Sequence, residues 1–117
     1  MKEFKTKQEI LKEIERLQKE LVENYKNFES VIILSENVSF KDYKKAIEES
    51  KEILQDVTEV EELGIKRLAY EIKGNKEGVY VRFVWTGNGQ TLSDIEKYFK
   101  NNDNIIKFLS MRTDYED

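Results

Sequence analysis

The sequence predicts an α+β domain: a four-stranded antiparallel sheet with two helices on one face, in the order βαββαβ, preceded by an extra amphipathic helix. Two observations carry that expectation. From Val57 to Thr86 the chain reads as a strand, a turn at Gly74 and Asn75 and a second strand, which is the pattern of a hairpin. On each side of the hairpin lies a segment of helical periodicity, and beyond each helix a short run rich in β-branched and aromatic residues.

Thr6 followed by Glu9 makes a capping box, and behind it Ile10, Ile14, Leu17 and Leu21 recur at spacings of four, three and four. An amphipathic helix to about Tyr25 follows from that pattern. Its seam is shorter than the three or four heptads, roughly, that an isolated coiled coil wants. The stripe is therefore expected to dock on the domain or on the same helix of a second copy. Residues 28–35 alternate poorly but are β-branched in the middle, as suits a buried central strand. Ser39 opens a helix with Asp42 in its first turn and with Tyr43, Ile47, Ser50 and Leu54 on one face.

Val57 to Lys73 is a long strand interrupted at Gly64, and Leu68, Tyr70 and Ile72 share one of its faces. By phase alone Tyr70 reads as a core tyrosine. In the next strand Val79, Val81, Phe83 and Trp85 share one face, and Tyr80, Arg82 and Val84 the other. Thr91 is expected to cap a helix that buries Leu92, Ile95 and Phe99, and a last strand runs from about Ile105 to Arg112. From residue 28 onward this order is that of a ferredoxin-like fold. The face of its sheet away from the helices would be open, and apolar groups there mark a binding surface unless the first helix covers them.

A chain of 117 residues is one domain by length, divided here into an extension over 1–26 and the ferredoxin-like unit over 27–117. It has no Cys and no His, which removes disulfides, thiolate and histidine metal sites, and Ser-His-Asp or Cys-His catalysis. No catalytic residue, metal or cofactor is expected. The carboxylate pairs Glu48-Glu49 and Glu61-Glu62 have no His and no activated nucleophile to work with and read as solvated charges. Gly87-Asn88-Gly89 lacks the Lys-Ser/Thr of a phosphate loop and reads as a plain loop. The apolar runs are too short to span a bilayer, so no membrane association and a cytoplasmic location are expected.

Net charge is -4, but it is segregated: residues 39–62 carry four Lys against eight Asp or Glu. Residues 64–85 carry Lys66, Arg67, Lys73, Lys76 and Arg82 against only Glu71 and Glu77. Lys66 and Arg67 offer a point charge and a bidentate fork for phosphate, or else simply the charges that keep an edge strand from pairing with other chains. The strands lack the aromatic consensus of an RNA-recognition motif, so base-by-base reading of single-stranded RNA is not expected.

The segment Gly64-Ile65-Lys66-Arg67-Leu68-Ala69-Tyr70-Glu71-Ile72-Lys73 resembles the signature of the bacterial small-subunit ribosomal protein six family: a glycine, a basic pair, Leu-Ala-Tyr, a variable residue, Ile and a polar residue. The resemblance extends over roughly residues 26–114, through Phe28-Glu29-Ser30-Val31-Ile32-Ile33-Leu34 upstream and Glu77-Gly78-Val79-Tyr80 downstream. Phe28 stands where the family usually has tyrosine, and the first helix is unmatched. The resemblance implies a noncatalytic component of the small ribosomal subunit that binds small-subunit ribosomal RNA together with ribosomal protein eighteen. Carried over by position, Lys66, Arg67 and Tyr70 are the leading candidates for the RNA or partner surface, with Lys26, Phe28 and Arg82 behind them. The alternative is a diverged paralogue, for instance one carried by a mobile element, acting as a protein-interaction module or a homo-oligomer through the first helix.

Overall fold

The computed structural model describes residues 6–113, without the side chains of residues 17–24. Its elements are α1 (Lys7–Asn24), β1 (Lys26–Ser35), α2 (Phe40–Leu54), β2 (Val57–Ile72), β3 (Asn75–Gly87), α3 (Gly89–Asn101) and β4 (Ile105–Arg112). The strands form one antiparallel sheet in the order β2-β3-β1-β4. β1 is thus central, as its β-branched middle suggested, while β2 and β4 are edges.

Strand alternation decides what each face carries. Phe28, Ile32 and Leu34 of β1 and Val81, Phe83 and Trp85 of β3 point to the same side, where they meet Ala46, Ile47 and Leu54 of α2 and Ile95 and Phe99 of α3. Trp85 is fully buried, stacks on Phe28 at 4.4 Å between ring centroids, and donates its indole N–H to Ser30 Oγ at 2.9 Å. Ser30 Oγ in turn lies 2.7 Å from Ser110 Oγ, so the polar atoms of this layer satisfy one another across β1, β3 and β4.

The helix starts follow their caps. Ser39 Oγ accepts from the Asp42 amide at 3.1 Å and begins α2 as expected. At α3 the cap is Asn88, two residues after the end of the alternating run, and Thr91 is instead the third helical residue. Asn88 Oδ1 accepts from Thr91 N at 3.0 Å, and Thr91 Oγ1 accepts from Asn88 N at 3.4 Å. Thr91 fits a cap by residue type, but Asn88 supplies the stronger acceptor and claims the position. Gly87 and Gly89 accordingly end β3 and begin α3 rather than forming a separate loop.

Thr6 Oγ1 accepts from Glu9 N at 3.2 Å and caps α1. Docking of its stripe within the chain is not what the structure shows: Ile10 is 40% and Ile14 45% exposed, with Leu11 at 53% beside them. Leu17 and Leu21, expected on the same stripe, lie outside the described side chains. Only Tyr25 separates α1 from β1, which leaves no loop to bring the helix back onto the domain.

Candidate functional site

β2 is not a flat edge. Its pairing with β3 shifts between Glu62 and Gly64 and again between Arg67 and Ile72, where Leu68 to Glu71 stand opposite only Lys76. Gly64 takes φ 81° at the first irregularity, a conformation that favours glycine. At the second, the extra residues let β2 rise over the open face of the sheet. Leu68 drops into a small cluster with Ile33 of β1 and Ile106 of β4, and Ile72 and Tyr80 pack against it.

Gly78 makes that crossing feasible. A Cβ there would overlap the Cγ2 methyl of Ile33 and lie 3.5 Å from Leu68 Cδ2. Because Ile33 is β-branched, its methyl cannot swing aside cheaply. Gly78→Ala is therefore expected to cost about 1–3 kcal/mol, read as a lower midpoint in urea. Parent-like stability would show that the close approach is not required.

The same crossing sends Tyr70 outward. It is 64% exposed, which corrects the core reading: Leu68 is buried and Ile72 packs against its cluster, while Tyr70 between them stands clear where β2 leaves its register with β3. Lys107 of β4 donates from Nζ to Tyr70 Oη at 3.1 Å, and the same Nζ stands 5.4 Å from the ring centroid. Lys66 reaches the Tyr80 ring at 5.7 Å, and both Lys66 and Arg67 are exposed. Lys66, Tyr70, Tyr80 and Lys107 thus gather at one end of the open face, while Arg67, opposite Glu77 in the register, is exposed on the other side of the same edge strand. Residue order did not single out Lys107; the signal was the β4 alternation, which aligns it with Leu109 and Met111.

Three other candidates lie elsewhere. Lys26 pairs with Gly87, toward the opposite end of β3 from the Lys66 partner Gly78. Phe28 is 7% exposed and lies under Trp85, since its phase on β1 points it at the helices; a hydroxyl missing there removes nothing from the surface. Arg82 is on the open face but is engaged by carboxylates: Nε donates to Glu29 at 2.5 Å, and Nη1 faces Glu61 at 3.1 Å and Glu59 at 3.5 Å. The hydrogen bond to Glu29, reinforced by the charges of Glu59 and Glu61, raises the guanidinium pKa above its already high value. This corner is net acidic.

The open face therefore runs from an acidic corner around Arg82 to a basic end around Lys66 and Lys107. Between them lie Val31 and Val84, both half-buried, and Leu109 and Met111, 57% and 46% exposed. None of these four belongs to the helix-side core. Glu61 and Glu62 turn to opposite faces of the sheet, Glu61 to Arg82 and Glu62 to the Tyr43 hydroxyl at 2.7 Å. Burial and the Glu62 hydrogen bond push the Tyr43 phenol well above its usual pKa. Among the described residues no group of His, Cys, Asp or Glu is arranged to hold a metal ion, and no helix is long and apolar enough to cross a membrane.

A family model for Ribosomal protein S6 matches residues 27–112. The small ribosomal subunit protein bS6 of Rickettsia felis is 33% identical over 91 residues, covering 74% of this chain and 75% of that protein. The bS6 of Shouchella clausii is also 33% identical, over 88 residues, 72% of this chain and 93% of its own length. Among solved structures, the 30S ribosomal protein S6 of Thermotoga maritima superposes with a TM-score of 0.71 at 28% identity, over 75% of this chain and 87% of that one. Helix α1 lies outside the residues that the family model matches.

Proposed function

This chain belongs to the ribosomal protein S6 family, and from that premise we propose that it is a noncatalytic component of the cytoplasmic small ribosomal subunit, binding small-subunit ribosomal RNA together with ribosomal protein eighteen. The observation that supports the RNA contact is the cationic and aromatic end of the open face, where Lys66 lies over Tyr80 and Lys107 over Tyr70, with Arg67 exposed on the other side of the same edge strand. Arg67 supplies a planar fork for phosphate oxygens, Lys66 a mobile charge, and Tyr70 a ring on which a base or a partner side chain stacks. Lys107 adds a cation at the Tyr70 hydroxyl. Arg82 drops out of the phosphate contact because Glu29, Glu59 and Glu61 engage it, and Phe28 because it is buried.

Net charge of -4 limits what the protein does alone, since phosphate neutralisation supplies most RNA affinity. A basic partner makes up that deficit. Binding to a central-domain fragment of the small-subunit RNA, measured by fluorescence anisotropy, is expected to be weak for this protein alone and much tighter with ribosomal protein eighteen present. Equal affinity with and without that partner contradicts the proposal.

A further inference from the structure

We propose that α1 of one copy docks across the open sheet face of a second copy, along β1 and β4, in a reciprocal pair. The inference goes beyond the RNA reading and shares Lys107, at the basic end of the open face, with it. Two apolar surfaces on this chain are open to solvent among the described residues: the stripe of Ile10 and Ile14 with Leu11 at its side, and the belt of exposed Leu109 and Met111 with half-buried Val31 and Val84 beside them. Neither is part of a core cluster.

Their dimensions agree. An 18-residue helix is ~27 Å long at ~1.5 Å per residue, and the eight residues of β4 span ~26 Å at ~3.3 Å each. Their charges agree as well. Glu9 and Glu13 each precede a stripe residue and so run along one flank of it, Glu13 being paired with Arg16 of the same helix, while Lys107 continues the line of Leu109 and Met111 toward the basic end.

The occupant is a second copy because the connection is too short for the chain's own helix. Tyr25 alone joins Asn24 to Lys26, whereas helix-to-strand connections usually take about 2–6 residues. A hinge without slack favours exchange between copies over folding back. Two helix-on-sheet joints related by a twofold axis then satisfy both surfaces at once.

The test uses the full chain and two sets of substitutions on exposed residues. Ile10→Asp with Ile14→Asp removes the stripe; Leu109→Glu with Met111→Glu removes the belt. Circular dichroism melting checks that each variant is folded, and Leu109→Ala with Met111→Ala serves as a gentler belt variant. Light scattering across a dilution series should find the parent dimeric and each charged variant monomeric. The alanine variant should dissociate at a concentration roughly tenfold higher or more. An equimolar mixture of stripe and belt variants should recover a dimer, because one joint then pairs an intact helix with an intact face. A monomeric parent overturns the proposal, as does a belt variant that stays dimeric, which would place the contact between two helices. A mixture that stays monomeric overturns it too.

Discussion

Replacing Trp85 by Ala is expected to lower stability by about 3–5 kcal/mol, the usual range for deleting a fully buried aromatic side chain. Three effects add in one place. A cavity opens at the centre of the sheet, Phe28 is left without the ring on which it stacks, and Ser30 without the donor that organises its hydrogen bond with Ser110. Ser30 is itself fully buried, so no water replaces that donor at the surface. As Trp85 is the single tryptophan, unfolding in urea has to be followed by circular dichroism rather than by its fluorescence. A destabilisation below about 1 kcal/mol, in the range of ordinary surface substitutions, would mean that this layer is not the core.

The second large effect is on RNA. Replacing Lys66 and Arg67 together by Ala should weaken binding of the protein–partner complex to small-subunit RNA by about 1–3 kcal/mol and reduce the salt slope by roughly one for each phosphate no longer neutralised. Folding should hardly change, because both side chains are exposed on an edge strand and neither belongs to a core cluster. That separation makes the experiment informative: a fall in affinity with unchanged melting assigns the effect to the surface. An unchanged salt slope would remove these residues from the phosphate-binding surface even if affinity fell.

The architecture was legible where local chemistry determines it. Alternation in β3 sorted Val81, Phe83 and Trp85 from Tyr80, Arg82 and Val84 without error, because β3 is paired on both sides and keeps its pleat. Ser39 announced α2 by supplying the acceptor that its first turn needs. Tyr70 reads as core only when the same rule is carried through a segment where Leu68 to Glu71 oppose Lys76 alone. No local pattern reveals how far a strand rises over its sheet; that depends on Gly78, Ile33 and Ile106, which lie elsewhere in the chain.

The candidate site was legible in part for a related reason. Lys66 and Arg67 are adjacent in sequence and both stay exposed on β2, although alternation turns them to opposite sides of the strand. Arg82 looked equally cationic, but its partners Glu29, Glu59 and Glu61 come from β1 and β2, and only the strand order β2-β3-β1 brings them to it. Lys107 is the converse case, a residue unremarkable in sequence that β4 places at the Tyr70 hydroxyl. Asn75 also gains its role in the fold. It was expected in the turn, whereas it starts β3 and ties the hairpin to the end of β1, accepting from Ser35 Oγ at 2.9 Å and Glu36 N at 3.0 Å.

The central claim, membership of a working small subunit, is tested most directly by purifying those particles from the source cells under high-salt washing and quantifying this protein by mass spectrometry. The account predicts that it stays with the particle in equimolar amount with the other small-subunit proteins. Its absence from washed subunits, with the protein recovered instead in the free fraction, would contradict the account.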